Sequence, residues 1–134
     1  MKFITSQWLE SAKSDLSTIE AILSNDLLTH VVAFHAQQCV EKALKAVIEE
    51  YELSSKKIHD LVTLKNMIAT VYEFDFDEDM LGLLNKLYID SRYPGDLGLF
   101  PDGKPTTEDA RGFFNFAQGV YKDVKNFLNE SPAS

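Results

Sequence analysis

The stretch that most limits what this chain can fold into is residues 31–51, VVAFHAQQCVEKALKAVIEEY. Val32, Ala36, Cys39, Val40, Ala43 and Val47 recur in steps of three and four, the spacing that lines one side of a helix with apolar groups. On another side the same spacing sets Gln38, Glu41, Lys42 and Lys45 beside one another. Glu41 ahead of Lys45 is the favourable order for an i,i+4 ion pair, worth about 0.3 kcal/mol on an exposed face. Such a ridge reads either as a solvated helix face or as a binding patch. The apolar stripe leaves less choice, because it has to be covered by the rest of the chain.

The other segments have the patterning to cover it. A first helix is expected over 6–24, with Trp8, Ala12, Leu16, Ile19 and Ile22/Leu23 as its stripe and Thr5 or Ser6 as its cap. Asn25-Asp26 then makes a short connection, so the second helix, starting between Leu27 and His30, runs antiparallel to the first. Asp60 is placed to cap a third helix carrying Leu61, Leu64, Ile68 and Val71/Tyr72. The acidic residues 75–79 suit the positive end of a fourth, which continues through Leu84 and Leu87/Tyr88 to Arg92 and stops at Pro94. Residues 93–105 hold three of the four prolines and three of the six glycines and form a loop, made apolar by Leu97, Leu99 and Phe100.

A fifth helix opens on the capping box Thr106-x-x-Asp109 and carries the clearest stripe, from Ala110 through Phe113 and Val120 to Leu128. Gly112 and Gly119 fall on nearly one face of it. Each costs about 1 kcal/mol in a helix interior, which the close approach of a neighbouring helix would explain. Residues 131–134 read as a disordered tail. No stretch alternates convincingly with period two over strand length. The fold expected is all-α, an antiparallel up-and-down bundle of about five helices, forming a single domain over 1–134.

Composition narrows the function. Of 134 residues 45% are hydrophobic and 25% charged, as in an ordinary globular domain. Thirteen basic residues against 21 acidic ones give a net charge of −8, which disfavours non-specific DNA binding without excluding one local basic site. No apolar run reaches the roughly 18–20 residues that span a bilayer. The lone cysteine, Cys39, falls on the apolar side of its helix, as a small core residue of a cytoplasmic protein would. Three histidines and one cysteine make no metal-ligand pattern, and no phosphate loop, dinucleotide fingerprint or nucleophile elbow is present.

The residues able to carry chemistry are therefore Gln38, Lys42 and Lys45 on helix two, His59 ahead of helix three, and Arg92-Tyr93 after helix four. Arg92 either holds a phosphate with its guanidinium fork, Tyr93 offering a ring for a base, or satisfies the carbonyls that end its helix. His59 reads more simply as a residue bonding to backbone at the start of helix three. Strict alternation of the helices would put His59 near the end of helix two and Arg92 at the opposite end of the molecule. A single cluster of all six residues is not expected on that ground.

The run Phe34-His35-Ala36-Gln37-Gln38-x-Val40-Glu41-Lys42-Ala43-Leu44-Lys45 resembles the second-helix signature of HEPN domains. His59-Asp60-Leu61 with Leu64, then Leu84, Leu87-Tyr88 and Arg92-Tyr93-Pro94, continue the resemblance in order, and Trp8, Ala12 and Asp15-Leu16 match the first helix. The resemblance implies a helical bundle that commonly dimerises and binds nucleotide or RNA. Many such domains are paired with a minimal nucleotidyltransferase, as a two-component or toxin–antitoxin system. The ribonuclease branch uses an arginine followed four to six residues later by histidine. Here Arg92 and Arg111 are the only arginines, and His59 is the last histidine, so that motif is absent. The expected function is a non-catalytic HEPN module that binds nucleotide, a nucleotidyltransferase partner or both, as a homodimer, with no catalytic residues and no metal or other cofactor. The alternatives are a divergent ribonuclease with His59 as base and a purely structural adaptor.

Overall fold

The computed structural model describes residues 1–54, 57–92 and 103–130, and at Ser91 and Arg92 the backbone alone. The Arg92 side chain, Tyr93, most of the loop expected at 93–105, and the tail at 131–134 lie outside the described residues. Among those residues the chain is an all-α bundle of five helices: α1 (Phe3–Ile22), α2 (Thr29–Glu50), α3 (Leu61–Ile68), α4 (Glu78–Arg92) and α5 (Thr107–Glu130). A single 3-10 turn, Asp26–Leu28, links α1 to α2, with the Asn25 side chain accepting from the Leu27 N–H at 2.9 Å.

α2 is the axis, packed by α1, α3, α4 and α5. Val32, Ala36, Cys39, Val40, Ala43, Leu44 and Val47 are all buried, so the stripe read from the sequence is the core side of this helix. Around it lie Leu9, Ala12, Leu16 and Ile19 of α1, Leu61, Leu64 and Ile68 of α3, Leu81 and Leu84 of α4, and Phe113, Ala117, Val120 and Val124 of α5, all in one core. The Cys39 thiol points at the Ala117 carbonyl at 3.9 Å, and burial pushes its pKa far up, so it behaves as an apolar core group.

Side-chain pairs fix the helix directions. Thr5 meets Glu50, Trp8 meets Lys45 and Asp15 meets His35, so α1 is antiparallel to α2. Cys39 meets Ala117 and Tyr51 stacks with Phe127, so α5 runs parallel to α2. α4 ascends from the Phe74–Phe76–Phe127 cluster to Tyr88, which stacks on Phe34 at 5.6 Å between ring centroids. The four long helices thus alternate up and down. α3 departs from that alternation because the irregular stretch beyond α2 does the returning and brings His59 back to the middle of α2.

Helix ends follow local chemistry. Asp60 caps α3 through the Thr63 N–H at 2.9 Å. Asp77 accepts from the N–H groups of Asp79 and Met80 and so sets the start of α4. Both arms of the capping box at α5 form at 3.0 Å, Thr106 N–H to Asp109 and Asp109 N–H to Thr106. α1 differs from expectation. It begins at Phe3, ahead of Thr5 and Ser6, because Thr5 is drawn into the interior, where its hydroxyl donates to Glu50.

α2 ends in a Schellman motif, with Leu53 N–H on the Ile48 carbonyl and Glu52 N–H on the Glu49 carbonyl. Glu52 takes the left-handed position, φ 56°, usually given to glycine. Within the chain the helix-packing explanation of Gly112 and Gly119 fails, since a Cβ on either would meet nothing within 4 Å. Both sit on the outward side of α5.

Candidate functional site

The ridge on α2 is not a uniformly solvated face. Glu41 and Lys45 are buried, while Gln38 and Lys42 are partly exposed. The reason is geometric: α1 passes along one side of this face, and the stretch carrying His59 closes on the other. Two carboxylates, sunk beneath it, hold the donors above them.

On the α1 side the carboxylate is Asp15, only 6% exposed. One oxygen takes His35 Nδ1 at 2.8 Å and the other takes Lys42 Nζ at 2.8 Å. On the α3 side it is Glu41, also 6% exposed. Its Oε2 accepts from Lys45 Nζ and His59 Nδ1, each at 3.0 Å, and its Oε1 accepts from the Gln37 amide at 3.1 Å. The Gln38 amide donates in turn to Gln37 Oε1 at 2.7 Å. Lys45 also lies 5.6 Å above the Trp8 ring, within the range of a cation–π contact.

This arrangement has chemical consequences. An ionised carboxylate only accepts, so each histidine presents its proton at Nδ1 to the buried oxygen and leaves Nε2 for other contacts. His59 has more than half of its side chain exposed, so its Nε2 can meet a ligand. Lys42, with 22% of its side chain exposed, keeps donor capacity beyond its bond to Asp15. Lys45 does not: its side chain is 10% exposed and its charge is spent on Glu41 and Trp8. Its ammonium faces Glu41 and the Trp8 ring and is not presented to solvent.

The structure brings Gln38, Lys42, Lys45 and His59 onto one face, which strict alternation of the helices had argued against. His59 joins them through its side chain. Its backbone carbonyl also lies 3.5 Å from the Gln37 amide. Phe34, two turns before Glu41 and so about 10 Å away along the axis, carries the stacked ring of Tyr88. α4 ends one turn later, at Arg92.

The sequence reading missed Asp15, His35 and Gln37. A signal existed for the first: Asp15 lies between Ala12 and Ile19 in the apolar stripe of α1, where an unpaired acid would not be tolerated. Among the described residues no group of three or more His, Cys, Asp or Glu side chains is placed to hold a metal ion. No described helix is long and apolar enough to cross a membrane.

The comparisons agree with the fold. The HEPN domain family profile matches residues 5–127, and the chain belongs to that family. It is 29% identical to "Putative toxin MJ1304" of Methanocaldococcus jannaschii, over 92% of this chain and 87% of that protein. It is also similar to the crystal structure of ST0689, an archaeal HEPN homologue, with a TM-score of 0.67 and 26% identity, over 94% of this chain and 98% of the other.

Proposed function

We propose that this chain is a non-catalytic HEPN module that receives the phosphates of a nucleotide or RNA on the polar face of α2, acts as a homodimer in the cytoplasm, and works beside a minimal nucleotidyltransferase. One observation carries the reading: two accessible donors and an accessible imidazole on one face are each held by a buried group, Gln38 by Gln37, Lys42 by Asp15 and His59 by Glu41. Donors fixed in advance lose little side-chain freedom when a ligand arrives, which is where much of the cost of binding lies. From the sequence alone, Arg92 and Tyr93 are added to the reading as phosphate and base contacts; the Arg92 side chain and Tyr93 lie outside the described residues.

A thermal-shift titration against ATP, GTP, CTP, UTP and short single-stranded RNA, with and without magnesium, tests it. A ligand at 100 times its dissociation constant stabilises the folded state by about 2.7 kcal/mol. The reading expects a saturable rise for one ligand class, lost in Lys42→Ala and Gln38→Ala. A flat response to every ligand, or a rise unchanged in both variants, contradicts it. Light scattering on the eluting peak tests the homodimer, which a monomer mass would exclude.

One observation favours a second reading, a divergent ribonuclease. A histidine whose Nδ1 is tied to a buried carboxylate and whose Nε2 is free to meet a ligand is oriented as a general base is. RNA cleavage abolished by His59→Ala and kept in His35→Ala would establish it. The absent arginine–histidine motif makes it the lesser reading.

A further inference from the structure

A second surface, far from the α2 face, has a chemistry of its own. The segment between α3 and α4 reads Tyr72-Glu73-Phe74-Asp75-Phe76-Asp77. Its aromatic and acidic side chains alternate in an extended stretch, so Phe74 and Phe76 turn inward, stacked at 4.9 Å, while the acids turn out. Phe127 of α5 meets this segment edge-on at Phe74, 5.5 Å, and face-tilted at Tyr72, 4.7 Å. Between the segment and the last turns of α5 lies a groove of about 560 Å³.

Tyr72 and Phe127 wall the groove, and Glu73, Asp75, Asp123 and Glu130 rim it, with no lysine or arginine among its lining residues. Tyr72 is 49% exposed, so one ring of the aromatic cluster is presented to solvent beside the acidic rim. None of the four carboxylates forms a hydrogen bond or ion pair among the described residues. They are not a chelating set either, since no three acids there converge on one point.

We propose that this groove docks a basic segment of a partner protein, an arginine or lysine side chain lying on the exposed Tyr72 ring, beside Phe127, with the carboxylates around it. Spread acids around one exposed ring suit a long or planar organic cation, which takes charge from the rim and the ring face together, better than a small inorganic one. The chain's net charge of −8 adds long-range attraction for the same partner. The inference is independent of the α2 reading: either surface can fail a test without the other.

Fluorescence anisotropy of a labelled oligo-arginine peptide on the full chain tests it, with Tyr72→Ala, the Glu73→Gln/Asp123→Asn pair, and a control pair on α1, Glu10→Gln/Glu20→Gln. The proposal expects saturable binding that weakens about fivefold or more in Tyr72→Ala and in the groove pair, and stays unchanged in the control pair and in Lys42→Ala. The groove pair leaves the aromatic packing intact, so it remains informative if Tyr72→Ala unfolds. No binding, or equal loss in groove and control pairs, overturns the proposal. Spermine or magnesium binding at the groove where the peptide does not also overturns it, by assigning the site to a small cation.

Discussion

Asp15 and Glu41 do at residue scale what their exposed neighbours cannot do alone. Each is a buried charge whose cost is offset by its partners, two for Asp15 and three for Glu41, and each fixes a histidine and a lysine in place. Removing one side of such a pair leaves an uncompensated charge in a low-dielectric setting. Glu41→Ala is therefore expected to cost about 3–5 kcal/mol in urea unfolding, because Lys45 stays buried without its carboxylate. A change below about 1 kcal/mol would mean that Lys45 reaches water as readily in the folded state as in the unfolded one. None of this was visible in the ridge pattern, because spacing along α2 gives the neighbours on that helix and not the chain passing above it. The same spacing reads correctly for Lys45 and Glu41 as an i,i+4 pair, yet the pair is buried and not on the surface where such pairs are weak.

Glu50 at the other end of α2 gives a pH prediction. Burial by itself would raise its pKa, but the Lys2 N–H, the Thr5 hydroxyl and the positive charges of the N-terminus and Lys2 outweigh burial and hold it below the ordinary value. A carboxyl lowered on folding contributes stability that is present above its unfolded pKa, about 4.3, and is lost as pH falls through the folded value. Glu50→Gln should thus be less stable than the parent near neutral pH, with the gap closing on acidification. Denaturant unfolding across that range checks it, and a gap that widens at low pH would contradict it.

At the scale of elements, boundaries were legible wherever one side chain decides them. Asp60 caps α3 and Thr106 with Asp109 opens α5, both by short-range hydrogen bonds that the sequence spells out. The start of α1 was not legible, since Thr5 could either cap or pair with Glu50, and only the packing of α1 on α2 chooses. The direction of α3 was missed for a related reason. Counting helices assigns alternate directions, but the irregular chain ahead of Asp60 does the returning and leaves α3 running with α2.

Gly112 and Gly119 pack against no helix of their own chain, where a Cβ on either would meet nothing within 4 Å. Gly119→Ala is accordingly expected to stabilise the isolated chain by about 0.5–1 kcal/mol, through better helix propensity and a less free unfolded state. Destabilisation on urea unfolding would show that the outer face of α5 is covered in solution.

For the whole molecule, the central helix explains why so much of the polar chemistry is collected on one element. α2 is flanked by four helices, so its remaining face lies at the seam where α1, the His59 stretch and α4 meet. The HEPN fold was legible from this helix and from the order of the motifs after it. Of the polar face, Gln38, Lys42 and His59 were legible in the sequence, but not Gln37, Asp15 and Glu41, the buried groups that hold them.

The most direct measurement is amide chemical-shift mapping of the labelled protein as the nucleotide or RNA selected by thermal shift is added. The account predicts saturable shifts centred on Gln38, Lys42 and His59, extending along α2 towards Phe34. Shifts confined to other surfaces, or none at saturating ligand, would contradict it.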